Sequence, residues 1–110
     1  MLKVTLNGSV SLTRGDTAYL TVPMVFEDSG EPYEMGTADT LTLSVKKTVK
    51  DTEFAFRKIV VGDNTFHIKP EDTADLPFGK YKYDIQLDTE NGDVFTVTDI
   101  STFEVLPEVG

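Results

Sequence analysis

Tyr81, Tyr83, Ile85 and Leu87 alternate with Lys80, Lys82, Asp84 and Gln86 without a break. A two-residue period puts the first set on one face of a β-strand and the second on the other. The segment therefore predicts a strand with one apolar and one polar side. Upstream, Pro70 and Pro77 break any backbone ladder, and Gly79 takes φ values that other residues resist.

The same period recurs along the chain. Leu2, Val4 and Leu6 alternate with Lys3 and Thr5, and Asn7-Gly8 signals a turn. Val10 and Leu12 continue that parity up to Arg14-Gly15-Asp16. Thr17 to Phe26 predicts one long strand, with Ala18, Leu20, Val22, Met24 and Phe26 on one face. Pro23 makes it an edge strand or a bulged one. Glu27 to Gly36 is a polar loop from which Tyr33 and Met35 are expected to dock on the core. From Asp39 to Lys47, Leu41, Leu43 and Val45 point inward.

Phe54 to Val61 is a further predicted strand. Phe54 and Phe56 share one parity, Ile59 and Val61 the other, so a bulge is expected between them. Gly62-Asp63-Asn64 predicts a hairpin into Thr65 to Lys69, with Phe66 and Ile68 inward. Glu71 to Leu76 predicts a single helical or 3₁₀ turn. Asn91-Gly92 is a strong hairpin signal. Asp93 to Val105 predicts a last, bent strand covered on both sides.

About seven strands, turns roughly every 8–12 residues and no amphipathic helix of useful length predict an all-β fold. Sandwich and barrel both fit. The immunoglobulin-like antiparallel β-sandwich is preferred, because the crossing PEDTADLPFGKYKY resembles the bottom-edge crossing of such domains. There a tyrosine hydroxyl ties the corner, a role open to Tyr81 or Tyr83. The antibody Cys pair and Trp are missing. A length of 110 residues predicts one domain, 1–110. With no cysteine, core packing must hold it together without disulfides or thiolate-bound metal.

A net charge of −9 argues against nucleic-acid and anionic-membrane partners. The N-terminal residues lack signal architecture, and no apolar run is long enough to cross a bilayer. A soluble, untargeted chain is expected.

Few residues offer chemistry. His67 is the only histidine and alternates outward, so it is expected on a surface strand without a metal role. Asp88, Glu90 and Asp93 do not fit an EF-hand loop and belong to a hairpin tip. Glu27, Asp28 and Glu31 decorate a loop, and Glu71, Asp72 and Asp75 a turn. Arg14-Gly15-Asp16 spells an adhesion tripeptide but sits where turn chemistry is needed. Lys46, Lys47 and Lys50 form a small positive island, either a solvated face or a docking patch. No nucleophile stands beside a base, so no enzyme and no cofactor is expected.

Several segments taken together resemble one family. They are Arg14-Gly15-Asp16-Thr17, Asp28-Ser29-Gly30-Glu31-Pro32, Leu41-Thr42-Leu43-Ser44-Val45-Lys46-Lys47, and Pro70-Glu71-Asp72-Thr73 with Leu76-Pro77 and Gly79-Lys80-Tyr81-Lys82-Tyr83-Asp84-Ile85. In order and spacing they are similar to the N-terminal immunoglobulin-like domain of phage baseplate upper proteins, and to its stand-alone versions among prophage tail and baseplate genes. The resemblance implies a non-enzymatic structural protein of a phage or prophage virion, assembled in the bacterial cytoplasm. Its partners would be other tail or baseplate proteins, or copies of itself as a homo-oligomer in the particle. The longer family members continue into further regions, whereas this chain ends at Gly110.

Docking by strand edges and loops is the expected mechanism. Lys80, Lys82 and Asp84, on the outward parity of the anchor strand, are the candidate contacts. The alternative is a cell-surface or enzyme-appended module binding carbohydrate or a protein ligand. That reading needs exposed aromatics, and Tyr19 and Tyr33 are its candidates.

Overall fold

The computed structural model describes residues 2–4 (backbone only), 10–26, 28–98 and 100–108. Among them are β1 (Leu2–Val4), β2 (Val10–Thr13), β3 (Ala18–Thr21), β4 (Met24–Phe26), β5 (Thr40–Lys46), β6 (Phe56–Val61), β7 (Thr65–Ile68), α1 (Pro70–Thr73), β8 (Gly79–Asp88), β9 (Val94–Thr96) and β10 (Ser101–Leu106). The fold is all-β, with almost no helix. The expected Asn7-Gly8 turn lies outside the described residues.

The large sheet has the order β2-β10-β8-β5-β6. β8 is its spine. β5 lies antiparallel along one side of β8, from Thr40↔Asp88 to Lys46↔Lys82. The other side is shared by β10, which pairs with residues 79–83, and β9, which pairs with residues 86–88. β3 and β7 form a small second sheet, and β1 pairs with β4.

The sheet is mixed, not antiparallel throughout. β2 runs parallel to β10, with Phe103↔Val10 and Leu106↔Thr13 at the ends of the ladder. Almost the whole chain separates these two strands, so no tight turn dictates their direction. Parallel pairing requires such a long connection.

The strands outnumber the seven expected, because two long segments are interrupted. Thr17–Phe26 divides at Pro23, which has no N–H to give a ladder. Beside it, the Val22 N–H donates to Asn64 O at 2.8 Å, and the Asn64 side-chain Nδ2 donates to Val22 O at 3.2 Å. The C-terminal segment divides between β9 and β10. There Val97 N donates to Ile85 O and Ile85 N donates to Thr98 Oγ1, each at 2.9 Å. A side-chain hydroxyl thus replaces one ladder acceptor and the strand bends. The expected cover on both sides is absent for Val94 and Ile100, which are exposed.

β6 carries no bulge within its length. Its register with β5 is unbroken from Thr40↔Val61 to Val45↔Phe56. Phe56, Lys58 and Val60 are half-buried, while Ile59 and Val61 face outward. The irregularity comes one residue earlier, where Ala55 N also reaches Val45 O at 2.7 Å. Nor is Gly62-Asp63-Asn64 a hairpin, since β7 pairs with β3 and not with β6. The turn carries the chain from one sheet to the other. Gly62 adopts φ +72, and a Cβ there would stand 3.0 Å from Thr37 O.

Two local expectations hold. Asn91-Gly92 closes the β8–β9 hairpin, with Thr89 N to Asp93 O at 2.8 Å, Gly92 N to Thr89 O at 3.0 Å and Gly92 at φ +91. This is the three-residue loop with a left-handed glycine. α1 is a single turn, opened by Pro70. The Lys69 N–H donates to Asp72 Oδ2 at 2.8 Å, and Asp72 also pairs with Lys58 Nζ at 2.9 Å.

The core gathers Leu41, Leu43 and Val45 of β5, Tyr81, Tyr83, Ile85 and Leu87 of β8, and Phe103 and Val105 of β10. Phe66 and Ile68 of β7, with Val22 and Met24, close it from the other side. Burying each aliphatic or aromatic side chain contributes about 1.5–3 kcal/mol relative to exposure. Tyr33 and Met35 pack against this cluster, as their loop positions predict.

Candidate protein interface

Lys80, Lys82 and Asp84 lie on the outer face of β8, opposite the buried tyrosines; the first two are exposed and Asp84 is half-buried. Lys82 Nζ reaches Thr102 Oγ1 at 3.5 Å. Their strand is interior, with neighbours on both sides, so these residues offer side chains and no free backbone.

Two strands end the large sheet, β2 and β6, and it is the β6 edge that carries exposed aliphatic side chains. Among the described residues no strand pairs with its far side. Gly62 N donates to Asp39 O at 2.8 Å, which fixes the alternation of the ladder. Residues 56, 58 and 60 bond toward β5, and the backbone groups of Arg57, Ile59 and Val61 point off the sheet. Ile59 and Val61 are 61% and 59% exposed. Such an edge is a template for a further strand. The sequence placed these two residues on their own parity but gave no sign that their strand was outermost.

Next to this edge, Phe54 stands half-exposed, with Lys46 Nζ 5.0 Å and Arg57 Cζ 4.8 Å from its ring centroid. Lys46 and Lys82 are cross-strand neighbours. The positive island is split: Lys47 Nζ turns to the other face, 4.6 Å over the Tyr81 ring, while Lys46 joins Arg57 of β6 and Lys82 of β8 on the outer face.

At the opposite end of β5 a cleft of about 410 Å³ opens between the 33–36 loop and the 89–93 hairpin. Asp39 forms its floor and is only 2% exposed. Its carboxylate accepts hydrogen bonds from the Tyr33 hydroxyl, from Gly36 N at 2.8 Å and from Glu90 N at 3.0 Å. The Tyr33 bond, then the backbone donors, hold its pKa below the ordinary carboxylate value, outweighing burial. Burial, and then the bond to Asp39, push Tyr33 up to about 12. Sequence reasoning used Asp39 only as the start of a strand. The available signal was its parity: residue 39 falls on the inward face with Leu41, Leu43 and Val45.

Other singled-out residues serve structure. Arg14 donates to Glu108 Oε1 at 3.0 Å and lies 4.2 Å over the Phe78 ring, while Gly15 N bonds the buried Thr73 Oγ1 at 2.9 Å. The adhesion-like tripeptide is thus a turn clamped onto α1 and the segment after it. His67 faces outward as expected, stacked on Tyr19 at 4.6 Å between ring centroids. Of the two candidate sugar platforms, Tyr33 is engaged with Asp39 and Tyr19 has one face covered by His67. Among the described residues no group of three or more His, Cys, Asp or Glu is arranged to hold a metal ion.

Of the corner tyrosines, Tyr81 makes the tie: its hydroxyl donates to Pro77 O at 2.7 Å. The Tyr83 hydroxyl instead bonds Ser101 across the sheet.

No known family model and no curated protein matches the chain.

Proposed function

We propose that this protein is a non-enzymatic assembly module, a tail or baseplate component of a phage or prophage particle built on an immunoglobulin-like sandwich. The observation that carries the assembly reading is the β6 edge. Among the described residues it offers unpaired backbone beside two exposed aliphatic side chains, a surface suited to accepting a strand from another chain. The Tyr81–Pro77 tie supports the immunoglobulin-like part, because a tyrosine bonding back to the backbone upstream of its strand is a mark of such domains. The assignment to a phage particle rests on the resemblance of the 14–17, 28–32, 41–47 and 70–85 segments.

Particles purified on a density gradient and analysed by mass spectrometry test this reading. The chain should be present at a fixed ratio to the tail proteins. Ile59→Lys places a charge on the edge without touching the core, and is expected to lower incorporation while thermal stability stays within about 0.5 kcal/mol of wild type. Particles lacking the wild-type chain contradict the particle assignment. Undiminished incorporation of Ile59→Lys contradicts the use of this edge.

A further inference from the structure

Charge is sorted along this molecule to a degree that the net value of −9 conceals. Where β5 ends and β8 begins, Lys46 faces Lys82, Arg57 faces Ser44 one row in, and Lys80, one row further out on the same face, stands opposite Glu104 of β10. Lys47 follows in sequence but turns its ammonium to the other face, over the Tyr81 ring. None of these five makes an ion pair among the described residues, where the pairs are Arg14–Glu108 and Lys58–Asp72. Asp84 and Glu104 share the outer face and temper the patch, Glu104 directly opposite Lys80, while Asp51 and Glu53 lie in the loop beside Phe54. The exposed Phe54 ring stands amid these cations, contacting Lys46 and Arg57.

The other end has the opposite character. Glu34, Glu90 and Asp93 rim the cleft over Asp39, and Phe26, Tyr33 and Phe95 form its apolar walls. Among the described residues no Lys or Arg lines it. Asp39 and Lys46 bracket β5, so the two ends lie roughly 20 Å apart at about 3.3 Å per residue. That exceeds a Debye length of about 8 Å at physiological salt. Neither end neutralises the other within one molecule.

We propose that these two ends are the halves of a single head-to-tail contact between copies of this chain. The Phe54 ring, with Lys46 and Arg57 beside it, enters the acidic, aromatic-walled cleft of the next copy. A cleft of about 410 Å³ has room for a phenyl ring. The carboxylates at its rim stand where the flanking cations arrive. The opposite pairings, basic on basic or acidic on acidic, set like charges together. The contact is heterologous, so each copy keeps one unused half, and the series closes into a ring or continues as a filament. This deepens the assembly reading and rests on it, naming a second copy as one partner.

Sedimentation velocity on the full chain tests the contact. Wild type should form species larger than dimers at low salt and dissociate as salt rises. Lys46→Gln with Arg57→Gln blocks one half, and Glu90→Gln with Asp93→Asn blocks the other. Each double variant alone should be monomeric. Their equimolar mixture, retaining one intact contact, should give one-to-one dimers and nothing larger, which also shows that both variants are folded. Phe54→Ala should weaken wild-type association about tenfold or more. A wild-type chain monomeric at every accessible concentration, or a mixture that does not dimerise, overturns the proposal. If such a chain still enters particles, the self-contact fails and the assembly role stands.

Discussion

Asp39 is the residue on which the loops at one end converge. Three donors from two loops, the hydroxyl of Tyr33 and the backbone N–H groups of Gly36 and Glu90, meet on one buried carboxylate. Its own backbone also accepts from Gly62 N at 2.8 Å, drawing in the turn between the sheets. Asp39→Asn keeps the shape but offers one acceptor oxygen where two were used. It is expected to cost about 2–3 kcal/mol at neutral pH by urea titration. The pH dependence follows from the lowered pKa. The stabilisation is complete above the unfolded value of about 4 and is lost as pH falls through the lower folded value. The gap between wild type and Asp39→Asn should therefore narrow below about pH 4. A gap that is constant from pH 7 to pH 3 would show that the charge of Asp39 is not what binds these loops.

At the scale of elements, β8 shows what local sequence can specify and what it cannot. The parity of Tyr81, Tyr83, Ile85 and Leu87 gives their burial directly, because period and face are properties of the strand itself. Pro23 marked a break for an equally local reason. The failures are all of partnership. Ile59 and Val61 look like a second core face when the strand is read alone, and only the sheet order shows that they face outward on an edge. Gly62-Asp63-Asn64 has hairpin chemistry, yet β7 finds β3, and no residue in the turn encodes that choice. The parallel match of β2 to β10 likewise depends on what the rest of the chain leaves open. Lys80, Lys82 and Asp84 were placed on the outer face, but both edges of the sheet, β2 and β6, were two strands away. The crossing from α1 into β8 was more legible, since prolines, acids and a following tyrosine describe it locally. Tyr81→Phe removes the hydroxyl that holds Pro77 O and should cost about 1 kcal/mol with the core otherwise unchanged. A thermal melt identical to wild type would show that the corner does not depend on this bond.

The whole molecule presents surfaces of three kinds. The core draws side chains from the large sheet and from β7 of the small one, the β6 edge carries backbone unpaired among the described residues, and the two ends of β5 carry opposite charge. In an acidic chain, general repulsion between copies works against indiscriminate association. Contacts must then be made through particular places, and the edge and the two ends are such places. The edge makes the more direct test, because amide hydrogen exchange reads backbone pairing residue by residue. In the free chain the amides of Arg57, Ile59 and Val61 should exchange far faster than those of Leu41, Leu43 and Ile85. In assembled particles they should become protected while the interior strands stay as they were. Slow exchange at Arg57, Ile59 and Val61 in the free chain, or exchange there that assembly leaves unchanged, would contradict the account.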